Sequence, residues 1–247
     1  MEFIPSHAFR GIRALYGDKG FSKLQNSHVL IIGVGGVGSW CTEALCRSGI
    51  GEITIIDADK IEITNVNRQL HTTINSCGHL KVDELGDRLL KINPLVKLHK
   101  KPTLITKENI KEILLECPKY VCECIDDINA KAGICDFLHK NNANFIVSGG
   151  AGGRINPSLI KIGDIADSSG DALISRLRNI LRKEYGYPKG GKKMHITCTF
   201  STESPIYPPK DEYTYDDMPA FGASMAVTAS AGLLMASWII KQITAQK

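Results

Sequence analysis

Over the first 150 residues, short apolar runs rich in β-branched residues alternate with longer stretches whose apolar positions recur every three or four residues. His28–Ile32 (HVLII), Glu52–Asp57 (EITIID), Tyr120–Ile125 (YVCECI) and Phe145–Ser148 have strand length, and Val96–His99 is a weaker strand. Helical spacing covers Gly36–Ser48, Leu80–Ile92 (stopped by Asn93-Pro94), Lys107–Glu116 and Asn129–Lys140. Residues 7–25 read as a short helix and a connector. This alternation predicts βαβ units, and so an α/β, Rossmann-like fold whose mostly parallel sheet carries helices on both faces.

After Gly153 the rhythm changes. Leu159–Ile162, His195–Thr202 and Ile206-Tyr207 are strand-like. Asp171–Tyr185 is an amphipathic helix with Leu173, Ile174, Leu177 and Leu181 on one face. Residues 218–240 carry no charge and are long enough to span a bilayer. They also place Ser224, Thr228, Gly232 and Ala236 on one helix face, a small-residue stripe that admits a close backbone. That stripe suits a membrane dimer or a buried helix at a soluble dimer interface. The lack of a second apolar span or an aromatic belt favours the buried helix. No linker divides the chain, so residues 1–247 read as one domain. Its nucleotide-binding half covers about 26–153 and a mixed extension about 154–247.

Composition narrows the class. With 43% apolar and 23% charged residues, the 247-residue chain is neither disordered nor collagenous nor a polytopic membrane protein. The net charge of +4 conceals an asymmetry. Residues 176–195 hold seven Lys/Arg and one Glu, while the remainder has 23 basic against 25 acidic residues. One segment therefore carries the basicity. The eight cysteines include no Cys-x-x-Cys, so no structural zinc is expected. Cys41, Cys46, Cys122 and Cys124 lie in apolar patterns and read as buried thiols, which suits a reducing, cytoplasmic setting. The first residues lack the apolar core of a signal peptide.

The first chemical signal is Gly33-Val34-Gly35-Gly36-Val37-Gly38, a G-x-G-x-x-G loop between a predicted strand and helix. Such a loop lets backbone approach a phosphate, and the helix N-terminus offers free N–H groups to an anion. Asp57, ending the second strand, is placed for ribose hydroxyls. By itself this suits NAD or FAD as readily as ATP. The following residues point to ATP: Asp59, then Thr64-Asn65-Val66-Asn67-Arg68-Gln69, then Lys81 at a helix start, and Asp126 after the fourth strand. Arg68 and Lys81 suit a triphosphate being cleaved, and Asp126 suits Mg²⁺.

This ordered set resembles the E1-like, ThiF-type superfamily of adenylating enzymes. The shared pattern is G-x-G-G-x-G (here Gly33, Gly35, Gly36 and Gly38), D-x-D (Asp57 and Asp59), the box holding Asn65, Arg68 and Gln69, then Lys81 and Asp126. The resemblance implies ATP-driven activation of a carboxylate as an acyl-adenylate, with Mg²⁺ on Asp126. It implies a homodimer in which Arg13 (less so Arg10) reaches the partner's site, and it admits Na⁺ or K⁺. Nearly end to end, the chain is most similar to the branch that dehydrates threonylcarbamoyladenosine on tRNA. Arg13–Gly17, Gly149–Gly153, Cys198–Glu203 and Phe221-Gly222-Ala223 carry that likeness. It implies a tRNA substrate, cyclisation of the modified nucleoside, and a cysteine desulfurase and sulfur-acceptor system as a partner. Residues 154–197 contain no cysteine, and Cys198 reads as a structural thiol. Met218-Pro219-Ala220 departs from the Ser-Gly run that many bacterial members carry before Phe-Gly.

Phosphate contacts are then expected from Arg176, Arg178, Arg182, Lys183, Lys189, Lys192 and Lys193. The rival readings are an E1-like activator of a ubiquitin-like or sulfur-carrier tail and a Rossmann NAD-dependent oxidoreductase.

Overall fold

The computed structural model describes residues 3–208 and 221–245. Met218-Pro219-Ala220 lies outside them, as does the start of the 218–240 stretch. Seven strands form one sheet: β1 (His28–Ile32), β2 (Glu52–Ile56), β3 (Lys97–Lys101), β4 (Tyr120–Glu123), β5 (Asn144–Ser148), β6 (Ile160–Asp164) and β7 (Thr197–Ser201). Their order is β3-β2-β1-β4-β5-β7-β6, parallel except for the β6–β7 pair. The β5–β7 pairing carries the sheet from the nucleotide-binding half into the extension.

The helices are α1 (Pro5–Ala8), α2 (Arg10–Gln25), α3 (Gly38–Arg47), α4 (Lys81–Ile92), α5 (Ile110–Ile113), α6 (Ile128–Lys140), α7 (Ala172–Glu184) and α8 (Met225–Thr244). Strand periodicity divides the core. Val29 and Ile31 of β1 pack on the face with α3, α4 and α8, whereas Leu30 and Ile32 pack on the face with α6 and α7. Both faces are apolar because both are covered, which is why the strands read as continuous apolar runs.

Three expectations change. Residues 7–25 are mostly helical, interrupted at Phe9 between α1 and α2 and at Gly17, where φ is +67°. The helix expected over Lys107–Glu116 shrinks to Ile110–Ile113. Ile206-Tyr207 joins no strand, although Ile206 N–H donates to the Gly153 carbonyl at 2.6 Å.

The small-residue stripe of α8 finds its partner within the chain. A Cβ on Gly232 would meet the Val37 carbonyl and lie 2.9 Å from Cys41 N, and Thr228 and Ala236 are buried. The stripe is therefore covered by α3, the helix that follows the glycine loop, and not by another subunit or lipid. This corrects the dimer and membrane readings of that face. α8 is long and apolar enough to cross a membrane, yet its residues from Val227 to Ile243 supply ten buried side chains or backbone positions to this core.

β4 ends on a fully buried ion pair, Glu123 with Lys131 of α6. Glu123 Oε1 also accepts from Ile125 N–H at 3.1 Å, fixing the turn that leads to Asp126.

Candidate nucleotide site

In this strand order, the chain leaves β1 toward β2 on one side and returns to β4 on the other. The carboxyl ends of β1 and β4 therefore flank a crevice. The glycine loop follows β1 and Asp126 follows β4, so both stand at that crevice.

Close approach explains the glycines. Gly33 has φ +83°, and a Cβ there would lie 3.0 Å from the Cys124 carbonyl carbon. A Cβ on Gly38 would collide with the Gly33 carbonyl oxygen. Gly36 faces Arg68, whose Cγ would be 3.4 Å from an added Cβ, and Gly35 faces the Gln69 amide at 3.8 Å. The loop is thus held against the Asp126 turn on one side and the Asn65–Gln69 box on the other. α3 begins at Gly38 with no side-chain cap; Ser39 N–H donates to the Gly35 carbonyl at 3.1 Å, while the N–H groups of Gly38 and Trp40 have no partner among the described residues and are open to an anion.

The carboxylates have distinct tasks. Asp57 accepts from Val34 N–H at 2.8 Å and Asp59 N–H at 2.9 Å, tying the loop to the end of β2. Asp59 pairs with Lys81 at 2.7 Å; the Lys81 side chain is 8% exposed and that of Asp59 is 65% exposed. Buried Asn65 closes a capping box with Glu62. Arg68 donates to the Thr64 carbonyl and to Asn67 Oδ1, both at 2.9 Å, while Trp40 Nε1–H donates to the Arg68 carbonyl at 3.0 Å. Asp127 caps α6 by accepting from Ala130 N–H at 2.7 Å. Asp126 is exposed and makes no ion pair among the described residues. Arg13 stands apart from this cluster, exposed on α2 and paired with Asp18.

Three further features surround these motif residues. Gln69 Oε1, Thr72 Oγ1 and both His71 ring nitrogens are buried without a hydrogen-bond partner among the described residues. Buried polar atoms are normally paired, so these are open to a bound molecule or water. Burial, then the Lys81 charge, lowers the His71 pKa from 6.5 to about 4. The unfolded chain therefore takes up this proton first. His71 contributes full stability above pH 6.5 and loses it as pH falls toward 4. His71→Phe should remove up to about 3 kcal/mol of acid sensitivity, read as denaturation midpoints of both proteins across that window.

The third feature is a clamp on Gly149–Gly153. Arg154 donates to the carbonyls of Gly150 and, at 2.9 Å, Gly170. Asp171 accepts from Gly150 N–H and from Ile174 N–H, each at 3.0 Å, so the cap of α7 also holds the glycine run after β5. Phe221 packs on Gly152 and Gly153, and Asn67 reaches the Ala223 carbonyl at 2.9 Å, joining this run to the Arg68 box. Cys198 is buried and its thiol is raised to about 12, a poor nucleophile and a good core residue.

The basic segment is not uniform. Arg178 turns inward and donates to the Ile165 and Ser168 carbonyls at 3.0 and 2.9 Å, which removes it from an outward phosphate-binding face. Arg182 donates to the Pro188 carbonyl at 3.0 Å, and Lys193 pairs with Asp167. Arg176, Lys183, Lys189 and Lys192 are exposed with no ion pair among the described residues.

Comparison with known proteins gives the same picture. The "tRNA threonylcarbamoyladenosine dehydratase" of Escherichia coli is 34% identical, spanning 96% of this chain and 94% of its own. That of Haemophilus influenzae is 37% identical over 97% and 94%. The solved E. coli enzyme in complex with ATP superposes with a TM-score of 0.89 at 33% identity, over 96% of this chain and 94% of that one. The ThiF family model matches residues 10–247, and the chain belongs to the ThiF family.

Proposed function

We propose that this protein is an ATP-dependent dehydratase that acts on N6-threonylcarbamoyladenosine in tRNA. The observation that carries the reading is the packing of Arg68 and of the turn before Asp126 against a glycine-lined helix start, with Asp57 tying that loop to the segment that holds the Asp59–Lys81 pair. The near-full-length similarity to dehydratases, one of them solved with ATP, supports the same substrates.

The threonyl carboxylate attacks the α-phosphorus of ATP. A carboxylate oxygen–phosphorus bond forms and pyrophosphate leaves. Both reactants are anions, so the chain must offset their repulsion and hold them in line. The first-turn N–H groups of α3 face the phosphates. Arg68 and Lys81 stabilise the charge that develops on the leaving oxygens. An atom of the same nucleoside side chain then attacks the activated carbonyl, releasing a proton, and AMP departs with the carboxylate oxygen. The net change in the nucleoside is loss of one water. No protein nucleophile is needed, which agrees with the buried Cys198 and the cysteine-free 154–197 segment.

Asp126 fits Mg²⁺ as an exposed carboxylate at the crevice, and the ion would supply charge neutralisation at the phosphates. For Na⁺ or K⁺ no donor set stands out among the described residues, and no step here depends on one. Arg13, exposed on α2 and paired with Asp18, suits a homodimer in which it would complete the partner's site. Location in the cytoplasm follows from the tRNA substrate. A sulfur-relay partner is part of the family likeness, and no residue of this chain is assigned to it.

Arg176, Lys183, Lys189 and Lys192 form the surface proposed to meet tRNA. Alanine at all four should weaken tRNA binding and flatten the log K against log salt slope by about 0.7–0.9 per lost contact. Arg178→Ala should instead lower stability and leave that slope unchanged. The adenylation step itself is tested with oxygen-18 in the threonyl carboxylate. One label must appear in AMP; unlabelled AMP would refute an acyl-adenylate.

A further inference from the structure

The nucleotide crevice uses the carboxyl edge of the sheet. A different set of groups gathers toward the opposite edge. His28 and Glu52 open β1 and β2 and are neighbours in register, as are Thr54 with His99 and Glu52 with Lys97. Parallel neighbours in register share a face, and so do residues two apart along a strand. His28, Glu52, Thr54, Lys97 and His99 therefore all project from one face of three adjacent strands.

Their donor atoms converge. Glu52 Oε1 is 2.8 Å from His99 Nε2 and 3.7 Å from His28 Nδ1, and the three ligand atoms lie within 4.8 Å of one another. Zinc bonds of about 2.0–2.2 Å place the donors of a tetrahedral ion roughly 3.3–3.5 Å apart. The two distances to Glu52 bracket that spacing, so only small side-chain adjustments are required. His28 Nε2 lies 2.8 Å from the Thr54 hydroxyl. A partner on the outer nitrogen orients the ring and leaves Nδ1 for an ion, the usual support of a ligating histidine. The three side chains are 27–39% exposed, which admits an ion and at least one water.

We propose that His28, Glu52 and His99 form a binding site for a divalent transition metal, with a two-imidazole, one-carboxylate donor set that favours Zn²⁺. The ion would join β1 and β2 to the edge strand β3. The site owes nothing to paired cysteines, so their absence does not bear on it. Lys97 is its built-in competitor: its ammonium sits 2.9 Å from Glu52 Oε1 on a side chain that is 67% exposed and has room to swing into solvent. Lys101 adds a further positive charge facing His28.

The test is titration of the full chain, stripped with chelator, with Co²⁺ followed by visible absorption and with Zn²⁺ followed by calorimetry. One saturable ion per chain is expected, with the intense Co²⁺ band of a four- or five-coordinate site. Glu52→Gln and His99→Ala should each weaken binding at least about tenfold. Lys97→Met should tighten it, an effect that a mere ion-pair network would not produce. The melting temperature without metal checks that each variant is folded. Absence of a saturable band overturns the proposal. So does binding that survives a His28→Ala/His99→Ala double variant, because the ion would then sit elsewhere. The site is distant in the fold from the crevice, so the outcome is independent of the dehydratase reading.

Discussion

Lys81→Ala should lower the rate of AMP formation by about 10²–10³-fold, the usual cost of removing one preorganised group that stabilises developing charge. The fold should survive. Asp59, the partner left behind, is 65% exposed and regains water when the ammonium is lost. Only the carboxylate of this pair is exposed; the Lys81 stem is buried, so a melting temperature must accompany the rate to separate lost packing from lost charge. The loss should therefore appear in kcat far more than in KM for ATP, because Lys81 acts on charge that develops as pyrophosphate leaves. Arg68→Ala should lower kcat as well and also raise KM for ATP, since its stem packs on the glycine loop. Single-turnover AMP release with saturating ATP separates these effects. A Lys81→Ala protein with normal kcat and raised KM would mean that the lysine only binds ATP.

Lys131→Met should cost about 3–5 kcal/mol, because it strands Glu123 in a fully buried position. Burial already pushes the Glu123 carboxyl above its ordinary range, and removal of Lys131 takes away the positive charge that opposes this most. Glu123→Gln combined with Lys131→Met should lose much less. Glutamine keeps an acceptor for Ile125 N–H without an unpaired charge, and replacing both members of a buried pair is often nearly neutral. Denaturant midpoints at constant pH decide the matter. Equal loss in the single and double variants would show that packing of the lysine stem, not the ion pair, stabilises the end of β4. The consequence reaches the site, because the Ile125 hydrogen bond sets the turn that presents Asp126.

Much of this was legible in the sequence, and the exceptions have physical causes. The strands of the sheet centre stood out because burial on both faces leaves continuous apolar runs. β3 was nearly invisible: Lys97–Lys101 is an edge strand whose lysines protect it from further pairing, so its alternation is charged rather than apolar. The 107–116 segment had helical spacing but little length. Pro118 stops it, Asn109 starts a turn by accepting from Thr106 N–H at 2.8 Å, and a helix that short has no propensity to spare. The small-residue stripe on α8 announced a close backbone without naming whose; only the packed core shows it is α3.

The positions of the glycine loop, Asp57, Asp59, the Arg68 box and Lys81 were legible from local order, because each lies at or near an element boundary; their roles toward a nucleotide are the proposal. Asp171 was readable as a helix cap, but its second bond to Gly150 joins segments far apart in the chain. His71 carried no signal, since its burial beside Lys81 arises from tertiary packing. Arg178 was misplaced for a related reason. A helical wheel puts it among the solvent-facing cations, and only the Ile165–Ser168 turn beneath it shows where its guanidinium goes.

The most direct test of the dehydratase account is incubation of the protein with ATP, Mg²⁺ and tRNA bearing threonylcarbamoyladenosine, followed by nucleoside mass measurement and AMP quantification. The expected product is a nucleoside lighter by one water, formed in step with one AMP. An unchanged nucleoside mass, or AMP formed without the modified tRNA, would contradict it.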